Sequence, residues 1–295
     1  MWARRLWVTE DGMLRAPWRI ALFIIVATIG VLAATAIIYP IVQRSGIDLD
    51  ITASTASEAA LTLNGWVSVI GLLIAHAVCL RRIDKLPWGA AGLDSKAARP
   101  GLLAWSTLVG AVAIGIPSLL LAALGWLAFQ PGPPGSSLAE GARSLLFLAP
   151  FAFSEELTLR GYLLTVLRKS LDWRLAVLLT SIVFGLLHFR NPGANPANLT
   201  MVVLAGVLLG TVVVTTGSLY AATAAHLAWN WVMAGVLHVP VSGLTVATPD
   251  YRLVDAGPDW LTGGAWGPEG GLGAALGMGG ALAYLYVRRA RPREE

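Results

Sequence analysis

Eight apolar stretches, most of them close to 20 residues long and separated by short clusters of charge, constrain this chain more than any other feature. A bilayer core offers no water to backbone amides. A segment crossing it must satisfy its own hydrogen bonds, and roughly 20 mostly apolar residues in a helix do so. The stretches run Ile20–Val42, Ala59–Leu80, Leu102–Phe129, Ser144–Leu167, Leu175–Phe189, Leu199–Thr215, Ser218–His238 and Gly271–Val287. They predict an all-α fold, a polytopic transmembrane bundle of about eight spanning helices. Composition agrees, because 56% of the residues are hydrophobic and only 13% charged, whereas soluble domains carry about 25% charged residues.

The charges sort by side, as the positive-inside rule requires. Arg4, Arg5, Arg15 and Arg19 precede the first stretch, which is too long for a cleaved signal core of ~7–15 residues and is read as a retained helix. Arg81, Arg82, Lys85, Lys96 and Arg99 fall in one loop, Arg168, Lys169 and Arg174 in another, and Arg288–Arg293 form the tail. The intervening loops are neutral or acidic, with Asp48, Asp50 and Glu58 in one and Asp250, Asp255, Asp259 and Glu269 in another. Both termini are therefore expected on the cytoplasmic side of an integral membrane protein. Residues 1–140 hold the first helices, 141–240 a core of about four helices, and 241–295 an external Gly/Pro-rich loop and the last helix. No basic face with aromatic readers is present, so no nucleic acid is expected as partner. A single cysteine, Cys79, excludes an internal disulfide and a multi-cysteine metal site.

Three apolar helices carry groups that lipid penalises. The fourth stretch contains Glu155, Glu156 and Arg160. At roughly 3 kcal/mol each on insertion scales, three ionisable groups cost about 9 kcal/mol unless they find internal partners. Glu156 and Arg160 share a helical face in the favourable order and are expected to form a buried ion pair. Glu155 lies about 100° around the helix, free to face a cavity as a general base. In the fifth stretch Phe184 precedes His188 by one turn and is expected to pack beneath it. His188 stands ~21 Å above Arg174 and Glu155 ~20 Å above Arg168, so antiparallel neighbours bring them to similar depth. In the seventh, His226 and Asn230 share a face. They read as an interhelical hydrogen-bonding pair or as an oxyanion-stabilising pair. His226 is only ~12 Å from Ser218, and reaches Glu155 only if the Thr216-Gly217-Ser218 turn is recessed. His76 and His238 are read as interfacial.

The ordered set Glu155-Glu156-x-x-x-Arg160, Phe184-x-x-x-His188 and His226-x-x-x-Asn230 resembles the CPBP family of intramembrane proteases. That family includes CAAX-prenyl endopeptidases and bacterial Abi-type proteins related to bacteriocin self-immunity. The neighbouring Gly161-Tyr162-Leu163, Asn191-Pro192-Gly193 and Thr216-Gly217-Ser218-Leu219 are also similar to bacterial members. The resemblance implies an intramembrane endopeptidase hydrolysing a peptide bond of a membrane-associated substrate, prenylated or not, with 141–240 as its catalytic core. It leaves two chemistries open. In a metal-free glutamate mechanism Glu155 and His188 activate water while Asn230 and His226 stabilise the oxyanion. In a metal-dependent one Glu155, His188 and His226 ligate a divalent ion, zinc first. Glu156, Arg160 and Phe184 support either. A transporter with a buried acidic relay, and a non-proteolytic immunity or scaffold protein, are the competing readings.

Overall fold

The computed structural model describes residues 7–9, 12–46, 57–245 and 249–290. Arg4, Arg5, Asp48, Asp50, Arg291 and Arg293 lie outside the described residues. Helix α1 spans Ala16–Gln43, α2 Glu58–His76 and α3 Pro100–Ala123. Helix α4 (Ser137–Glu156) runs through a π-helical segment, Leu157–Leu163, into the short α5 (Leu164–Leu167). Helices α6 (Trp173–Leu187), α7 (Pro196–Thr216) and α8 (Leu219–Trp231) follow, α8 continuing as a π-helical segment, Val232–Leu237. The chain closes with the single-turn α9 (Asp259–Thr262) and with α10 (Leu272–Ala290).

Local chemistry sets these starts. Ser57, Ser136, Asp172, Asn195 and Ser218 each accept a first-turn N–H at their helix, satisfying donors that the helix itself cannot. Proline opens α3 and α7, where its missing N–H costs nothing.

Among the described residues, four helices are long and apolar enough to cross a membrane by length and composition: Ala16–Gln43, Glu58–Ile83, Pro100–Ala123 and Pro196–Thr216. The other stretches do form helices, but α6 is short and α4 and α8 carry the polar residues singled out above. Large side chains such as Leu32, Ile37, Leu120 and Leu146 point outward and are well exposed, as a lipid-facing surface requires. The protein is an all-α membrane helical protein.

One predicted span is too long. Helix α3 stops at Ala123, and Leu127–Pro131 form strand β1, paired antiparallel with β2, Tyr251–Asp255. Leu127 is buried, and the residues after it are progressively more exposed, out to Phe129. A hydropathy window cannot tell this short apolar strand from a helix end. The ribbon ties the end of α3 to the loop after α8.

Helix α4 occupies the middle of the bundle, between α2 and α8, and the π-helical segment after it meets α6. Helices α3 and α8 pack extensively, as do α6 and α7, while α10 lies against α3 and α7. The polar residues of α4, α6 and α8 therefore face one another.

Candidate active site

Helix α4 ends on Glu155 and Glu156, and the next turn widens into π geometry. Such single-turn π segments recur at functional sites because they re-aim side chains. Inside this segment the chain kinks at Gly161, whose ψ of −107° leaves the helical region. The Tyr162 N–H that this kink releases donates to His76 Nε2 at 3.1 Å, and His76 Nδ1 donates to the Leu72 carbonyl at 2.8 Å. A Cβ at position 161 would run into the His76 imidazole, so glycine is needed for the approach. His76 is 0% exposed, which corrects its reading as interfacial: it is a buried clasp on the kink. Tyr162 is further tied by its hydroxyl to Asp84 at 2.8 Å, and Asp84 pairs with Arg19.

The two glutamates diverge as the helical phase predicts. Glu156 and Arg160 are both fully buried and pair at 3.1 Å. Arg160 Nη2 also donates to the Gly206 carbonyl at 3.1 Å, and its guanidinium lies 4.4 Å above the Phe184 ring. The same Glu156 Oε1 accepts from His226 Nδ1 at 3.0 Å, a contact that spacing alone does not reveal. A carboxylate only accepts, so Nδ1 carries the proton and Nε2 faces the other way. There it stands 3.7 Å from Glu155 Oε2. Glu155 keeps 35% of its side chain exposed and lines a cavity of about 580 Å³.

His188 lines that cavity too, with Phe184, His226 and Asn230. Its Nδ1 donates to the Phe184 carbonyl at 2.8 Å, again fixing the proton and leaving Nε2 available. Phe184 packs edge-on to both imidazoles, with centroids 4.8 Å from His188 and 5.8 Å from His226. Phe184 thus joins the Arg160 brace to both histidines. Asn230, half-buried, lies one turn beyond His226 on the cavity side. The remaining wall is largely apolar, with Leu61, Phe147, Phe151, Leu208 and Leu209.

The depth of His226 has a structural explanation. Ser218 is 0% exposed; its hydroxyl donates to the Ala97 carbonyl at 2.6 Å, and the Leu219 N–H donates to Gly92 at 3.0 Å. The loop between α2 and α3 therefore covers the start of α8. The turn is recessed, and little more than two turns suffice to bring His226 level with the glutamates.

Sequence reasoning missed one cavity residue. Glu269, read as part of an acidic external loop, is 7% exposed and lines the same cavity. Its Oε2 accepts from Trp229 Nε1 at 2.8 Å, and its Oε1 accepts from the Ser242 N–H and hydroxyl, both at 2.6 Å. Asn191 Nδ2 donates to the Ser242 carbonyl at 3.0 Å, so the turn after α6 and the loop after α8 are fastened together over the cavity. The only signal for this was Trp229 itself, a buried indole that needs an acceptor. His238 also departs from its interfacial reading: it is 2% exposed, stacked on Tyr251 at 4.5 Å and bonded to the Tyr251 carbonyl.

Glu155, His188 and His226 share a cavity, but among the described residues no three His, Cys, Asp or Glu side chains are grouped so as to hold a metal ion.

Residues 138–232 match the family model described as Type II CAAX prenyl endopeptidase Rce1-like. The match makes this segment similar to the CAAX-protease family. It covers about a third of the chain and includes all the motif residues of α4, α6 and α8. The Rce1-like segment excludes α1–α3, Glu269 and the β1–β2 ribbon. No curated protein and no solved structure matches the chain.

Proposed function

We propose that the protein is an intramembrane endopeptidase that uses Glu155 to activate water against a peptide bond of a membrane-associated substrate. The observation that carries this reading is the division of the acidic pair. Glu156 is consumed by Arg160 and the back of His226, whereas Glu155 opens onto the cavity 3.7 Å from the front of His226. A relay for ions or protons has no need of an amide donor beside the histidine, whereas acyl transfer does.

In the proposed reaction Glu155, with His188 Nε2 opposite it, takes a proton from water as the water oxygen attacks the carbonyl carbon. Asn230 Nδ2 donates to the carbonyl oxygen and steadies its negative charge, and His226 adds a second donor when its Nε2 is also protonated. As the C–N bond breaks, the proton held by Glu155 passes to the leaving amine. No step is assigned to a divalent ion. The apolar wall suits a substrate that enters with a hydrophobic segment or lipid attached, and the family match favours a prenylated one.

The test is cleavage by the purified full chain in proteoliposomes. Membrane-anchored peptide libraries, with and without a prenyl group, are read by mass spectrometry in the presence and absence of a chelator. Cleavage that survives the chelator supports the reading. Failure to cut any anchored peptide contradicts it, and loss of cleavage with chelator restored by zinc contradicts its metal-free form.

A further inference from the structure

A second cavity, of about 520 Å³, opens on the far side of α7 from the catalytic one, between α6, α7 and α10. Its inner wall is apolar, built from Val177, Leu178, Val207, Leu282 and Val287. Its rim at one end of the bundle is cationic. Arg174 lines it, and Trp173, also in the lining, carries the Arg289 guanidinium at 4.0 Å and that of Arg174 at 5.2 Å from its ring centroid. Arg168 lies close enough to Arg289 for the two charges to oppose each other. Partial burial first, then the charge of Arg289, hold its guanidinium below the usual value. The nearest carboxylate, Asp172, caps α6 by accepting the Arg174 backbone N–H at 2.9 Å. Among the described residues no ion pair joins a carboxylate to Arg168, Arg174 or Arg289.

We propose that this groove is a binding site for an anionic phospholipid, with an acyl chain between α6, α7 and α10 and the headgroup phosphate between Arg174 and Arg289. Charge complementarity selects the occupant. Arg174 and Arg289 both lie against Trp173 at the polar end of an apolar slot on a membrane protein, with Arg168 near Arg289, and basic recesses between helices are where acidic headgroups settle. A planar guanidinium also matches phosphate oxygens two at a time. A zwitterionic lipid fills the slot equally well but gains less from the rim. The site is independent of the catalytic proposal.

The experiment is native mass spectrometry of the full chain in detergent, titrated with dioleoylphosphatidylglycerol or dioleoylphosphatidylcholine. Each favourable cation is worth about fivefold in affinity. The anionic lipid is expected to bind at least fivefold more tightly, and the double variant Arg174→Gln/Arg289→Gln to lose ~25-fold. Val207→Trp, which fills the slot but keeps the charges, should weaken both lipids. Arg82→Gln, a cation elsewhere, should leave binding unchanged. Equal affinity for the two lipids, or an undiminished anionic preference in the double variant, overturns the proposal.

Discussion

Replacing Glu156 by alanine probes the brace of the site through stability rather than activity. Both partners of the Glu156–Arg160 pair are 0% exposed in their side chains, so the variant strands a guanidinium in the bundle interior. Breaking a buried pair from one side costs about 3–5 kcal/mol, because the surviving charge keeps its desolvation penalty without compensation. The Gly206 carbonyl and the Phe184 face remain in contact with Arg160, but neither carries a neutralising charge. His226 also loses the acceptor of its Nδ1 proton, a contribution of about 1–3 kcal/mol taken alone. Both interactions use the same Oε1 atom, so the losses are coupled and should not be summed. The expected total is about 4 kcal/mol, a large part of a typical stability of ~5–15 kcal/mol. Reversible unfolding in mixed micelles with increasing dodecyl sulfate, followed by tryptophan fluorescence, measures it. The double variant Glu156→Leu/Arg160→Met should recover most of the loss, because an apolar replacement of a whole buried pair is close to neutral. A single variant within about 1 kcal/mol of wild type, or a double variant no better than the single, would refute the buried-brace account.

Other consequences follow from the same geometry. Asn230→Ala should lower kcat by about 10²–10³-fold with an unchanged melting temperature, read from steady-state cleavage of an anchored peptide. Glu269→Ala leaves the Trp229 indole and the Ser242 N–H without their acceptor; a loss of ~1–3 kcal/mol is expected in the same unfolding assay, and wild-type stability would contradict the latch. His76→Phe strands the Tyr162 N–H and should speed exchange of that amide with deuterium. His76→Gln, which can offer an oxygen near the position of Nε2, should restore protection, and equal exchange in both variants would count against the clasp.

The sequence made part of this architecture legible and hid the rest for identifiable reasons. Apolar length located the helices because the bilayer imposes that length on any span. Helical phase separated Glu155 from Glu156, since neighbouring residues cannot share a face. The pair of bonds on Glu156 Oε1 was hidden, because Arg160 is four residues away but His226 lies on another helix. Glu269 was hidden more deeply: it sits in a glycine-rich stretch with no periodicity, and only the folding of the 239–270 loop turns it inward. His76 looked interfacial because it stands near the end of its apolar stretch with no acidic neighbour at helical spacing. Its partner is a backbone amide released by a kink at Gly161, which no side-chain pattern announces. Strand β1 was absorbed into the third span because Leu127, Ala128 and Phe129 are consecutive apolar residues just after α3, and a hydropathy window runs on through them.

The central claim is that Glu155, and not Glu156, performs the chemistry. It is tested most directly by Glu155→Gln, which keeps the shape of the side chain and removes its capacity to accept a proton. Single-turnover cleavage of an anchored peptide should fall by about 10²–10⁴-fold, while the unfolding midpoint stays close to the wild-type value because Glu155 is part-exposed and stands 3.7 Å from His226 Nε2, beyond hydrogen-bond length. Cleavage at the wild-type rate by a correctly folded Glu155→Gln protein would contradict the account.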